Sequence, residues 1–334
     1  MTTIVTRVLS PGHEFPDHPE RPGRFELLDE KIKAFDFESM DAMPAAREEI
    51  ARVHSPRMIQ AVDESARQGP GIIDYAPTYV THTSFEDALL ASGGTLGCVR
   101  AVWGGDAANA FALVRPPGHH AEPTRAMGFC LFNNAAVAAR DLLERGAGRV
   151  LVVDYDAHHG NGTQAAFLND ERLGYLSTHQ WGIYPGTGRM DDAPHARGRI
   201  VNVPLPAYAG DSVFAQIVEQ VMKPHIEAFR PEMIIVSVGF DAHWSDPITS
   251  LGLSSAGYHA IAKRLVELAN EHCNGKIVFA LEGGYSAENV ANGAGGVLAA
   301  LNGARYEVPD DASPHPEPDV TRMLESIRAW HGFG

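Results

Sequence analysis

The stretch Val150-Leu-Val-Val-Asp-Tyr-Asp-Ala-His-His-Gly-Asn-Gly162 decides the fold. Four apolar residues, three of them β-branched, give way abruptly to acids, histidines and glycines. A short run that is apolar on both faces suits a strand buried in a parallel sheet, and the polar turn after it marks the carboxyl end of that strand. Three other runs repeat the pattern. Ala108–Val114 (ANAFALV) leads into Arg115-Pro-Pro-Gly-His119-His120, Met233–Val238 (MIIVSV) into Gly239-Phe-Asp241-Ala-His243, and Lys276–Leu281 (KIVFAL) into Glu282-Gly-Gly-Tyr285. Around them lie helical segments at Asn134–Leu143, Val213–Phe229 and Ser255–Glu271, with Pro224 expected to kink or divide the second. Strands alternating with helices predict an α/β fold with helices on both faces of the sheet.

The 334 residues, 44% hydrophobic and 21% charged, suffice for a large core. Glycine and proline are scattered as punctuation, so one domain is expected. Pro309–Pro318 reads as an exposed loop before a short terminal helix. With 27 basic against 42 acidic residues the net charge is −15, which repels phosphate and argues against nucleic acid as a partner. Three cysteines (Cys98, Cys130, Cys273) without a CxxC make a disulfide framework or a cysteine zinc site improbable. No window approaches the roughly 18 uninterrupted apolar residues of a membrane span. A reduced, cytoplasmic protein is the expectation.

In an open parallel sheet, ligands bind beyond the carboxyl ends of the strands. Here four strands each deliver His, Asp or Tyr to that edge, which points to one shared pocket. Residues two apart in an extended segment point the same way. Asp154, Asp156 and His158 are therefore placed to project into one space, with Asp241 adding an oxygen ligand from another strand. Carboxylates with a single imidazole leave a divalent cation such as zinc with open positions, as catalysis requires. The competing reading is a set of polar turns whose acids cap the following helices. His119 and His120, adjacent in a Pro-Pro-Gly turn, suit proton transfer better than shared metal binding; otherwise they are a solvated pair. Tyr285, after two glycines, is placed to hydrogen-bond a carbonyl oxygen as charge builds on it, or is a buried tyrosine with one satisfied hydroxyl.

Six ordered blocks carry a resemblance: RPPGHH (115–120), GFCLFNNAAVAA (128–139), DYDAHHGNGT (154–163), YPGTG (184–188), GFDAHWSDP (239–247) and LEGGY (281–285). They resemble the signatures of the zinc-dependent histone deacetylase and acetylpolyamine amidohydrolase family, and HPERPGR (18–24) is similar to its N-terminal loop. The resemblance runs from about residue 10 to about residue 300. It implies the arginase/deacetylase fold, a single catalytic domain over residues 1–334 around a central, mostly parallel sheet of about eight strands. It implies one zinc ion held by Asp156, His158 and Asp241. By the same likeness, His120 is the general base, His119 its electrostatic partner bonded to Asp154, and Tyr285 the phenol that polarises the amide carbonyl.

Asn161 stands where class I-like members place Asp, and so resembles class II members and the polyamine enzymes; a neutral amide holds His120 without adding charge and leaves it less basic. Gly128, Phe129 and Tyr184 resemble the walls of a narrow tunnel around a methylene stem. Ile248 occupies a position where polyamine-selective relatives of the vertebrate type carry Glu. Acylated lysine-like amines are therefore expected as substrates, with acetylpolyamines as the alternative. The resemblance also implies potassium near Asp154, Asp156, His158 and Ser177, bound largely through backbone oxygens. The His18–Arg24 loop is expected to shape the pocket rim or an interface in a homo-oligomer. A binuclear arginase-type ureohydrolase shares the fold, but Asp241 is followed by Ala242-His243 and His158 by His159-Gly160, without the second metal's carboxylates. A non-catalytic acyl-lysine binding module is opposed by the intact Asp156, His158, Asp241, His120 and Tyr285.

Overall fold

All four apolar runs are strands in the computed structural model, which describes residues 2–307 and 311–334. In chain order the strands are β1 (Thr3–Val8), β2 (Glu38–Met40), β3 (Gly71–Ile72), β4 (Tyr79–Val80), β5 (Asn109–Val114), β6 (Val150–Asp154), β7 (Leu173–Gln180), β8 (Ile200–Leu205), β9 (Met233–Val238) and β10 (Ile277–Leu281). Eight of them form one sheet of order β2-β1-β5-β10-β9-β6-β7-β8. Every pairing in it is parallel. β3 and β4 form a separate antiparallel ladder.

Alternation along each strand explains the two layers of core. On β5, Phe111 and Leu113 face a layer that includes Tyr258 and Leu265 of helix Ser255–His272, Val297 of helix Ala287–Asn302 and Leu324 of helix Thr321–His331. Ala110, Ala112 and Val114 face the opposite layer, built from helices Ser84–Gly104 and Asn134–Glu144. Small residues on that side let the alanine-rich Asn134–Glu144 helix pack close, and the buried runs read as continuously apolar because both faces are covered. The Asn133 side chain caps this helix by accepting from Ala136 N–H at 2.9 Å. The helical stretch holding Pro224 is divided, as expected. Asp211–Ile217 and Lys223–Phe229 are α-helical, and the π-helical turn Val218–Met222 between them accommodates the missing N–H of the proline.

Of the expected loop at 309–318, Pro309 and Asp310 lie outside the described residues. From Asp311 the chain runs as a strap to helix Thr321–His331 and ties itself to the body. Asp311 meets His243 Nε2 at 3.1 Å, and its carbonyl accepts from Trp244 Nε1 at 2.6 Å. Glu317 accepts from the N–H groups of Gly210, Ser212 and Val213. No helix among the described residues is long and apolar enough to cross a membrane.

Candidate active site

The four strands whose ends carry the polar clusters are β5, β10, β9 and β6, and they are neighbours at the centre of the sheet. Their carboxyl-end loops therefore meet. Asp156, His158 and Asp241 present ligand atoms that all lie within 4.8 Å of one another. His158 Nδ1 is 3.0 Å from Asp241 Oδ2 and 3.2 Å from Asp156 Oδ1. Backbone N–H groups hold the carboxylates in place: Gly283 donates to Asp156 at 2.8 Å, and Ala157 to Asp241 at 2.9 Å. A side chain at Gly283 would run into both acids, since a Cβ there meets Asp241 at 2.5 Å and Asp156 at 2.6 Å. Among the described residues, Asp156 and Asp241 form ion pairs only with His119 and His158. Against burial, these two carboxylates raise the His158 imidazole to about 10. A field that holds a proton on His158 so strongly favours a divalent cation in place of that proton, and two oxygens with one nitrogen are a donor set that fits zinc.

Asp154 does not join this cluster. Strand β6 ends at Asp154, so the two-residue alternation stops there and the chain turns. The Asp154 carboxylate instead meets His119 Nδ1 at 3.2 Å and accepts from the Tyr175 hydroxyl at 2.9 Å. None of the three aspartates serves as a helix cap. The histidine pair is not solvated either: His119 and His120 are buried, with ring centroids 4.0 Å apart.

The two imidazoles are driven apart in basicity. Burial lowers both, but Asp156 and Asp154 overcome it at His119 and raise that ring to about 10. At His120 burial is reinforced by the positive fields of His119 and His158, and its pKa falls well below the ordinary range. His120 Nδ1 lies 2.8 Å from Asn161 Oδ1. Asn161 Nδ2 donates to Glu122 at 2.8 Å, which fixes the amide with its oxygen toward the ring. His120 therefore donates from Nδ1 and keeps the Nε2 lone pair free.

Gly128, Phe129, Tyr184 and Ile248 line one cavity of about 270 Å³ together with His120, His158 and Tyr285. A Cβ at Gly128, whose φ is +59°, would strike the His120 ring, so the wall approaches the base only because this residue is glycine. Phe129 stands edge-on to Tyr285 and Tyr184 edge-on to His120. Burial and the Asp241 charge push the Tyr285 phenol well above its ordinary range, so it remains a donor. A larger groove of about 620 Å³, around Lys31 and Tyr306, holds none of these residues.

Several residues that sequence reasoning passed over build the surroundings. Glu282, wholly buried, accepts from the N–H groups of Gly118 (2.7 Å) and His119 (3.1 Å) and from Ser237 Oγ (2.9 Å). Arg24 donates to the carbonyls of Glu282 and Gly284, each at 2.6 Å, and lies 5.2 Å from the Tyr285 ring centroid. Asp246 accepts from Tyr285 N–H at 2.9 Å. The signals were present, an acid ending an apolar strand and an arginine in HPERPGR, but neither names its partner.

With this geometry in hand, comparison with known proteins is direct. Residues 18–301 match the model of the histone deacetylase domain. The chain belongs to the histone deacetylase family. It is an amide hydrolase of the deacetylase type. This deacetylase is 39% identical to a probable deacetylase of Archaeoglobus fulgidus, over 86% of its own length and 82% of the relative's. It is 36% identical to the histone deacetylase-like amidohydrolase of Pseudomonas aeruginosa, covering 96% and 84% of the two chains. The crystal structure of the HDA15 HD domain superposes with a TM-score of 0.88 at 32% identity, covering 99% of this chain and 94% of that one.

Proposed function

We propose that this deacetylase is a zinc-dependent enzyme that removes acetyl or other short acyl groups from lysine-like amines. The observation that carries the reading is the excess of buried carboxylate at Asp156 and Asp241, beside the free Nε2 of His120 and the phenol of Tyr285, around one cavity. Zinc held by Asp156, His158 and Asp241 would polarise the amide carbonyl and make water a stronger acid.

The chain's own groups do the rest. His120, neutral and oriented through Nδ1 by Asn161, accepts the proton of the attacking water at Nε2 and returns it to the leaving amine. His119, charged between Asp154 and Asp156, keeps His120 from gaining a proton too early. Tyr285 keeps its proton and donates a hydrogen bond from its hydroxyl to the carbonyl oxygen as negative charge develops there. Phe129 and Tyr184 flank the methylene stem, and Gly128 brings the wall close to the base. Ile248 at the mouth presents no charge to a second ammonium, which supports lysine-like amines over acetylpolyamines.

Potassium beside Asp154, Asp156, His158 and Ser177 belongs to the same proposal. Asp154 and Ser177 are direct neighbours across β6 and β7, and both side chains are engaged elsewhere, Ser177 with His179. Such an ion would therefore rest on main-chain carbonyls. The test of the function is hydrolysis of an acetyl-lysine peptide by metal-stripped protein and by protein reconstituted with zinc. Turnover is expected only in the second, and chelator-insensitive turnover would sink the reading.

A further inference from the structure

The cavity of about 270 Å³ is on the scale of one acylated side chain, so a peptide that carries the acylated lysine lies across its rim. Nine large apolar side chains remain exposed among the described residues. Five of them, Ile72, Ile73, Tyr75, Trp181 and Ile248, sit on the three segments that form the mouth, where Ala76, Ile183, Tyr184 and Ile248 line the cavity. Exposed apolar groups on the segments that also line a cavity favour a covering partner there. Tyr75 stands out among them at 77% exposure, with its ring centroid 6.2 Å from that of the wall residue Tyr184. The one acid on the same loop, Asp74, has an oxygen against Gly128 N–H (3.4 Å) and the Thr78 hydroxyl (3.5 Å), turned to the wall.

Resting on the deacylase reading, we propose that Tyr75 is a specificity-determining residue that selects acyl-lysine peptides with a bulky apolar residue next to the modified lysine. A tyrosine has only two side-chain torsions to fix and offers a large amphipathic face, so covering it yields much contact at small entropic cost. The Tyr184 ring beside it continues the same shelf into the cavity. A side chain flanking the lysine therefore falls on Tyr75 while the acyl-lysine stem lies between Phe129 and Tyr184. A hydrophilic carrier, or the short chain of an acetylated diamine, leaves the shelf bare and gains nothing from it.

The experiment compares kcat/KM for two acetyl-lysine peptides that differ only in the flanking residue, Leu against Ser, with acetylputrescine as a third substrate. The parent enzyme is expected to favour the Leu peptide roughly tenfold, the scale of one well-covered aromatic, with the difference in KM. Tyr75→Ala is expected to bring the ratio close to one, and Tyr75→Phe to keep it. Because the readout is a ratio within one protein, a general loss of activity in a variant leaves it readable. Equal use of the two peptides by the parent, or a ratio that survives Tyr75→Ala, overturns the proposal while the deacylase reading stands. Cleavage of neither peptide, or a clear preference for acetylputrescine, overturns both.

Discussion

Two buried charge clusters lie at the same edge of this sheet, and they are balanced in opposite ways. In the first, the Glu20 carboxylate sits between two guanidiniums, with Arg115 Nε at 2.8 Å and Arg24 Nη1 at 3.1 Å. The remaining donors of Arg115 reach the carbonyls of Leu9, Ser10 and His13, and those of Arg24 reach Glu282 and Gly284. All three side chains are essentially excluded from water. In the second cluster, Asp156 and Asp241 share the His158 imidazole, His119 stands 3.8 Å from Asp156, and the remaining partners are backbone N–H groups. The first cluster is closed: two guanidiniums outnumber the one carboxylate, but carbonyl oxygens take up their remaining donors, and the cluster fastens the N-terminal loop to the loop bearing Tyr285. The second carries surplus negative charge in a place that water cannot screen. Burying an unmatched charge costs several kcal/mol, so a chain keeps such a surplus where a cation compensates it. The difference separates a fastening from a cluster suited to hold a cation, without reference to any relative.

The largest effect expected from this contrast concerns the open cluster. Chelation, or Asp241→Ala, should lower turnover by more than about 10³-fold, beyond the loss of a single oxyanion donor. The metal-free Asp241→Ala protein should nevertheless unfold at a urea concentration no lower than the metal-free parent, because one member of a like-charged pair has gone. A variant that loses both activity and a large part of its stability would mean that Asp241 is a fastening too. The closed cluster should behave in reverse. Glu20→Ala leaves two guanidiniums buried without their carboxylate and should destabilise the fold by about 3–5 kcal/mol, read by urea unfolding. If Glu20→Ala is as stable as the parent, the guanidiniums reach water and the contrast dissolves.

The two clusters also differ in how much of each can be read from the sequence. Asp156, His158 and Asp241 follow directly on apolar strands, so strand position alone brings them to one edge of a parallel sheet. The four central strands are mostly apolar and wholly buried, and their expected ends fall within one residue of the observed ones. The outer strands escape that reading for physical reasons. β1 mixes Thr3, Thr6 and Arg7 into an alternating pattern, and β7 buries Ser177, Thr178 and His179 within a strand. β8 tolerates Pro204 because it is an edge. The closed cluster is still less legible. Arg115 meets Glu20 across 95 positions and Arg24 meets Glu282 across 258, pairings that no local spacing encodes. Asp154 shows the same limit at short range, since alternation predicts its direction only while the strand lasts.

Tyr285 belongs to the open side by chemistry and to the closed side by support, and its removal sharpens the division. Tyr285→Phe keeps the ring under Arg24 and loses only the hydroxyl. The expected result is a kcat lower by about 10²–10³, with KM and zinc content close to those of the parent. Steady-state kinetics with metal analysis checks this. A raised KM at unchanged kcat would instead make the hydroxyl a ground-state contact with the substrate.

The smallest expected effect is one of sign. Glu282 lies on the open side, and burial pushes its carboxyl up to about 7 from an ordinary 4.5, in spite of the neighbouring His119. A carboxyl whose folded value exceeds its unfolded one binds its proton more tightly in the folded chain, so ionising it costs stability. That cost is absent below about 4.5 and grows until the pH passes about 7. Glu20 is the mirror case. Despite burial, Arg115 and His13 hold it well below the ordinary carboxylate range, so its contribution is present above 4.5 and lost only as pH falls through that lowered value. Glu282→Gln is isosteric and still accepts from Gly118 and His119. In metal-free protein it should therefore be more stable than the parent at pH 8 and no more stable at pH 4.5, by urea unfolding at the two pH values. A variant destabilised equally at both would show that the Gly118, His119 and Ser237 donors hold Glu282 comfortably as a carboxylate, and the surplus of charge would then stop at Asp156 and Asp241.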